Sequence, residues 1–224
     1  MKRTGFLLIL ILIISFTTNS AFAQLTGVGI KVGAGFANLQ GSDVNQSMDS
    51  KTGFSGGAFV TYAFHEIIAI QPEVLYVFKG TKFTNTVLGY GTVEGEVILD
   101  YLEIPILIKA TPPMTGNFKP NIFIGPSFGI LTNAKLKIDT PPGYATRSIK
   151  EDMSSTDIGL SFGAGVEFEL TQGAITFDGR YSLGLSSTFE QYIRYGPAAQ
   201  SIFFTGEDKM KNSVISIMLG FSFM

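Results

Sequence analysis

IAIQPEVLYVFK (residues 68–79) and ILDYLEIPILIK (residues 98–109) decide how this chain folds, because both alternate with a period of two. In the first run Ile70, Val74 and Tyr76 share one face, and Gln71 and Glu73 share the other. The second run sets Leu102, Ile104, Ile106 and Ile108 against Tyr101, Glu103, Pro105 and Lys109. This period predicts β-strands that are apolar on one face and charged on the other.

The rest of the chain repeats this alternation, and elsewhere the face that matches the charged one is crowded with Gly, Ser and Ala. Charges beside small residues indicate a narrow polar interior, so the apolar face is expected to contact lipid. Eight runs follow the rule, an even number, as a closed antiparallel transmembrane barrel requires. The predicted strands are Val28–Asn38, Phe54–Phe64, Ile68–Lys79, Ile98–Lys109, Ile122–Leu131, Ile158–Leu170, Ile175–Leu185 and Val214–Phe223.

The connections between these runs alternate strictly between long and short. Long ones cover about residues 39–52, 80–97, 132–157 and 186–212, and short ones lie near 65–66, 111–119 and 171–173. A barrel inserted from the periplasm has short periplasmic turns and long outer loops. The sequence therefore predicts an eight-stranded, all-β, up-and-down transmembrane barrel with both termini in the periplasm.

The N-terminal segment has the composition of a secretory signal peptide. Lys2 and Arg3 precede an apolar block at residues 6–16, and Ala21-Phe22-Ala23 supplies a cleavage site. We expect cleavage after Ala23, giving a signal peptide at 1–23 and a barrel domain at 24–224. The chain has no Cys, which excludes disulfides and thiol chemistry. Its formal charge of −2 gives no attraction to nucleic acid.

Several segments resemble a known family. They are IQPEVLY at 70–76, YLEIPILIK at 101–109, FIGPSFG at 123–129, GAGVE at 163–167 and RYSLGL at 180–185. Together they resemble the PorT-like, or outer-membrane β-barrel domain, proteins of Bacteroidota and relatives, small barrels of the porin type in Gram-negative envelopes. The resemblance implies an outer-membrane location. It assigns no activity, although a subset of that family assists secretion across the outer membrane.

Two segments spell the hydrolase motif G-x-S-x-G, at residues 125–129 and 159–163. That motif requires a strand-to-helix elbow and a His base, whereas both segments alternate like strands. The only His of the chain, His65, falls in a predicted short turn. We therefore predict no catalytic, cofactor-binding or metal-binding residue.

The inward charges form the main candidate site. We predict a lumen charge network of Lys31, Glu73, Lys79, Glu103, Lys109, Glu167, Asp178 and Arg180. Such a network could be a selective ion path or a plug of paired charges. The plug is favoured, because eight strands leave room for little more than their own side chains and pairing removes the cost of confined charge. Arg180 is expected to pair with Glu73 or Glu103.

A second candidate lies in the last long connection, which is rich in aromatic residues. Its proposed contact residues are Phe189, Tyr192, Tyr195, Phe203 and Phe204. They are expected either to bind an envelope or secretion protein or to pack on one another above the membrane. The leading hypothesis is a monomeric, non-enzymatic barrel in outer-membrane lipid, with a structural or loop-binding role. The alternatives are a narrow porin-like channel and, more distantly, a soluble lipocalin-like carrier.

Overall fold

The computed structural model describes residues 24–40, 47–87, 91–140, 143–188 and 210–223. They form nine strands and one 3₁₀ helix of three residues. In chain order the elements are β1 (Gln24–Gln40), β2 (Ser47–His65), β3 (Ile68–Val87), β4 (Gly91–Ala110), β5 (Phe118–Thr140), β6 (Gly143–Ser148), the 3₁₀ helix Lys150–Asp152, β7 (Thr156–Leu170), β8 (Gly173–Gly184) and β9 (Lys211–Phe223). Among these residues no helix is long and apolar enough to span a membrane.

Eight of the strands close into an antiparallel ring. Neighbours along the chain pair from β1 to β5, then β5 pairs with β7, and β7, β8 and β9 follow. The ring closes where β1 pairs with β9, from Val28 opposite Phe223 to Gln40 opposite Lys211. The predicted eight-stranded barrel is thereby confirmed. β6 is an additional strand that pairs with β5 alone among the described elements.

The outer surface of the ring carries the large apolar side chains. Ile30, Phe54 and Ile122 are 62%, 67% and 65% exposed, and many aliphatic and aromatic neighbours are exposed in the same way. A water-soluble barrel would bury these side chains, since each one left in water forgoes about 1.5–3 kcal/mol. The arrangement contradicts the lipocalin-like carrier, which would place apolar residues inside and charges outside.

Glycine on the inner face makes room for aromatic rings that point into the lumen. A Cβ added at Gly29 would lie 2.5 Å from Phe59 Cζ, and one at Gly163 would lie 2.7 Å from Phe123 Cζ. Phe59 and Phe123 are both buried. The small residues that indicated a narrow lumen therefore also seat two large side chains within it.

Three of the four long connections are shorter than predicted, because the strands beside them continue beyond the apolar belt. β3 runs on to Val87, β4 begins at Gly91, and β5 extends to Thr140 before β6 pairs back onto it. The predicted loops at 80–97 and 132–157 are thus largely strand. His65, predicted in a turn, is the last residue of β2.

These extensions enclose an apolar core of their own at the long-loop end. Its members share nearly complete burial on the inner face of the extended strands and the segments beside them. We call it the outer core: Phe83, Val97, Leu99, Tyr101, Leu131, Ala134, Leu136, Ile138, Ile149, Met153 and Met210. The inward side chains of the extensions are apolar. They are buried against one another, and this burial stabilises the extensions.

We expect Gly163→Ala to lower the stability of the barrel. The new Cβ would lie 2.1 Å from the Gly179 carbonyl oxygen as well as against Phe123, and overpacking of this kind costs about 1–3 kcal/mol. Thermal unfolding in detergent, followed by circular dichroism, measures the change. Gly179→Ala is the matched control, because the nearest atom to its Cβ would be 3.8 Å away. Equal midpoints for the two variants would contradict this account of the inner face.

Candidate functional site

The centre of the lumen is occupied by ion pairs around Glu73. Lys31 Nζ donates to Glu73 Oε1 at 2.8 Å and to Asp178 Oδ2 at 2.9 Å. Arg180 makes a two-point contact, with its Nη1 2.8 Å from Glu73 Oε2 and its Nη2 3.0 Å from Oε1. Gln71 Nε2 also donates to Glu73 Oε1 at 2.7 Å. We call Lys31, Glu73, Asp178 and Arg180 the Glu73 cluster; its formal charges cancel.

The Glu73 cluster crosses the lumen from wall to wall. Lys31 lies on β1, Glu73 on β3, and Asp178 and Arg180 on β8. All four residues are buried. Of the two partners predicted for Arg180, the structure places Glu73 in direct contact with it.

Aromatic rings hold the two cations of this cluster in position. Lys31 Nζ lies 4.6 Å from the centroid of the Phe59 ring, and Arg180 Cζ lies 5.3 Å from that of Phe123. A desolvated cation gains about 2 kcal/mol from such a ring. The glycine seats described above therefore serve the electrostatics of the lumen as well as its packing.

A second buried group lies nearer the long-loop end. Lys79 Nζ contacts Glu103 Oε1, and it donates to Asp157 Oδ2 at 3.2 Å. Asn212 and Ser186 also donate to Asp157, at 2.8 and 3.0 Å. We call Lys79, Glu103 and Asp157 the Lys79 cluster.

Asp157 was not predicted as a lumen residue, because the predicted strand began one residue later, at Ile158. Its odd number continues the inward series of Gly159 and Ser161. This odd-numbered series could have identified Asp157 as an inward residue from the sequence. Tyr101, whose ring centroid lies 4.9 Å from Lys79 Nζ, belongs to the same neighbourhood.

Between the two clusters the interior is apolar, whereas the sequence predicted a narrow polar interior. Leu75, Val77 and Met218 are buried against one another there. One void beside them has a volume of only about 20 Å³, and a second, beside the Lys79 cluster, has one of about 10 Å³. A void of that size holds about one water molecule. Ion pairs and apolar contacts thus fill this part of the lumen together.

The two remaining predicted charges, Lys109 and Glu167, lie towards the short-turn end, beside a further pair formed by Lys119 and Glu169. Lys109 Nζ is 2.6 Å from Glu167 Oε2, and Lys119 Nζ is 3.9 Å from Glu169 Oε2. They border an open cavity of about 750 Å³. All eight predicted lumen charges therefore have an ionic partner, divided between the two clusters and this cavity.

The other predicted features carry no competing site. His65 is exposed, and Ser161 Oγ shares a hydrogen bond of 2.9 Å with Ser182 Oγ. Within the part of the chain that the structure describes, no three His, Cys, Asp or Glu side chains are placed to hold a metal ion. The signal peptide and the loop residues Phe189, Tyr192, Tyr195, Phe203 and Phe204 lie outside the described residues.

Arg180→Leu is expected to destabilise the folded barrel by about 3–5 kcal/mol, because it leaves one carboxylate of the Glu73 cluster without a compensating charge. The midpoint of thermal unfolding in detergent measures the loss. Arg147→Leu removes a half-exposed arginine and should change the free energy of unfolding by about 0.5 kcal/mol or less.

A double variant, Arg180→Leu with Glu73→Leu, restores the charge balance and should recover much of the loss. If Arg180→Leu alone unfolds at the midpoint of the parent protein, the Arg180 charge is solvated and the cluster is not a plug.

Comparisons with known proteins place the chain in a family. No curated protein shows a significant match to the chain. Three solved structures are similar to it at low identity. Neisserial surface protein A has 15% identity and a TM-score of 0.42, over 88% of this chain and 97% of that one. OprG from Pseudomonas aeruginosa has 15% identity and a TM-score of 0.46, over 89% of this chain and 96% of that one. Ail from Yersinia pestis, in complex with a heparin analogue, has 14% identity and a TM-score of 0.39, over 88% of this chain and 99% of that one.

Identities at this level transfer no activity or partner from those three proteins. The family comparison is independent of them. Residues 22–190, more than half of the sequence, match the outer membrane protein beta-barrel domain. The chain therefore belongs to the outer membrane protein beta-barrel domain family and is an integral β-barrel protein of the outer membrane.

Proposed function

We propose that this protein is a closed, non-enzymatic barrel that conducts no solutes and acts through its outer segments. Its role is to present the surface at the long-loop end to another component of the envelope. A protein of the secretion or envelope machinery is the partner that fits the PorT-like resemblance of the sequence.

The observation that carries this proposal is the Glu73 cluster. Because its ion pairs join β1, β3 and β8 across the lumen, a solute would have to displace buried charges to pass. Separating a buried pair costs about 3–5 kcal/mol when one partner is lost. The Lys79 cluster and the outer core fill the lumen at two further positions along the barrel axis.

Chemistry inside the barrel has little support from the residues present. The serines of both G-x-S-x-G segments, Ser127 and Ser161, sit on strands and point into the lumen. His65, the only His of the sequence, is exposed at the short-turn end of the barrel. A serine nucleophile requires a base within hydrogen-bond reach, whereas the hydroxyl of Ser161 shares its hydrogen bond with the hydroxyl of Ser182.

The surface at the long-loop end is built as a binding platform. The extensions of β3, β4 and β5 stand above the apolar belt and are stabilised by the outer core. Exposed polar residues cover them, including Lys82, Lys135 and Thr146. A rigid scaffold that displays a polar surface is the usual arrangement for recognition.

Planar-bilayer recording of the purified protein tests the closed state. We expect no stable single-channel steps, because each of the described levels is filled. A variant lacking residues 189–204 should behave in the same way, since the plug lies within the barrel.

Stable steps that persist after that deletion would instead favour the porin-like channel. A porin of known conductance, reconstituted in the same bilayers, is the positive control for the assay.

A further inference from the structure

The lipid-facing wall of the barrel carries a polar site where its apolar belt ends. On β3 the belt consists of the outward side chains of residues 68–78, and a tilted strand crosses the hydrocarbon core with about 9–11 residues. Phe78 ends this series and lies opposite Asp100 of β4, which in turn lies opposite Asn133 of β5. Residues opposite one another share a face of the sheet, so Asp100 and Asn133 lie on the outer face at the level of the lipid headgroups.

A β-bulge places two consecutive polar residues at this level. Leu131 and Ala134 of β5 both point inwards, into the outer core. The register shift beside Asp100 leaves Thr132 as an extra residue, so Thr132 and Asn133 both lie on the outer face. Bulges re-aim side chains in this way, and they are common at the rims of barrels and next to active sites.

The polar groups of the bulge leave one acceptor unused. Asn133 Nδ2 donates to Asp100 Oδ2 at 2.8 Å, and the Thr132 hydroxyl donates to the backbone carbonyl oxygen of Asp100 at 2.8 Å. Asp100 is only 7% exposed, and its Oδ1 has no hydrogen-bond partner among the described residues. A buried carboxylate oxygen without a donor is costly, so a ligand that donates a hydrogen bond to it would stabilise the site.

Two lysines add positive charge beside Asp100. Lys150 Nζ donates to the Thr132 carbonyl oxygen at 2.9 Å, and because an ammonium group has three N–H donors it keeps two for another acceptor. Lys135 is the next outward residue of β5 after Asn133. Both lysines are exposed. The complementary ligand therefore carries an anion for the lysines and a hydrogen-bond donor for Asp100.

The position of the site limits which lipid can supply these groups. It lies at the long-loop end, which faces the cell exterior in barrels of this type. The outer leaflet of a Gram-negative outer membrane consists mainly of lipopolysaccharide, whose lipid A headgroup is a phosphorylated glucosamine disaccharide. That headgroup combines phosphate with sugar hydroxyl and amide N–H donors on one rigid frame.

We propose that this site binds the lipid A headgroup of lipopolysaccharide. A phosphate of the headgroup accepts hydrogen bonds from Lys150 and Lys135, and a sugar hydroxyl or amide N–H donates to Asp100 Oδ1. Rotation of the exposed Phe78 ring, which is the cross-strand neighbour of Asp100, gives this donor access. The acyl chains lie against Tyr76 and Phe78, whose rings contact each other at 5.2 Å on the belt below. The inference concerns the lipid-facing wall and does not rest on the proposed function.

Native mass spectrometry of the protein, refolded in detergent without lipopolysaccharide, tests the site. We expect lipid A to bind about tenfold more tightly than its dephosphorylated form, because a hydrogen bond to a charged group contributes about that factor. Phosphatidylglycerol should also bind about tenfold more weakly than lipid A, since its flexible hydroxyls are costly to order. Inorganic phosphate should not displace lipid A, because it has no sugar donor and no acyl chains.

Two site variants and a control identify the recognition groups. Lys135→Gln with Lys150→Gln should weaken lipid A binding about tenfold or more. Asp100→Asn should weaken it about tenfold, because the amide keeps an acceptor for Asn133 but turns its own N–H groups towards the ligand. Without lipid, the thermal unfolding midpoint of Asp100→Asn should equal or exceed that of the parent, since an unpaired carboxylate is removed. Lys82→Gln removes an exposed lysine of β3 and should change the affinity by less than about twofold.

Each contrary result overturns the proposal. Equal affinity for lipid A, its dephosphorylated form and phosphatidylglycerol shows that the headgroup is not recognised. Displacement by inorganic phosphate shows a simple anion site. Unchanged affinity in either site variant shows that lipid A binds elsewhere, and a lower unfolding midpoint of lipid-free Asp100→Asn shows that the carboxylate supports the fold rather than a ligand. None of these results bears on conduction or on binding of an envelope protein.

Discussion

The carboxylate of Glu73 is the group on which the interior of this barrel depends. It receives Lys31, Gln71 and Arg180 at once, and these side chains come from both sides of the lumen. A carboxylate held away from water is costly unless its charge and its lone pairs are both satisfied. Because Lys31 also holds Asp178, the whole cluster is one unit, and no member can move without unpairing another.

Closure of the ring imposes the remaining features. With eight strands the lumen is only wide enough for side chains, so each inward position affects the one across from it. Gly29 and Gly163 leave the space that Phe59 and Phe123 fill, and those rings in turn lie against Lys31 and Arg180. Small, aromatic and charged residues on the inner face therefore form one interdependent set. The outward aliphatic residues have no such partners and need only to be apolar.

Alternation of residue types was enough to predict the barrel, its strand number and the inward direction of the predicted charges. It limited the partner of Arg180 to Glu73 or Glu103, but it did not predict the contacts of Lys31, because pairing across the lumen depends on the stagger between strands β1, β3 and β8, which a single sequence does not encode locally. Asp157 was missed for a simpler reason, since polar residues at strand ends look like loop. The strand extensions were missed because Thr81, Asn133 and Lys135 interrupt the apolar pattern that marked the membrane-spanning part.

The outer core also has a consequence for biogenesis. It joins Phe83 and Val97, in the first half of the chain, to Met210 near its end, so it is complete only when the segment that leads into the last strand has arrived. Contacts that distant in sequence form late, after the entropy of closing the intervening chain has been overcome. Formation of the outer core would therefore be the last step of folding. A barrel whose ring has not closed would expose these apolar side chains at its long-loop end, where proteases and chaperones of the envelope can recognise them.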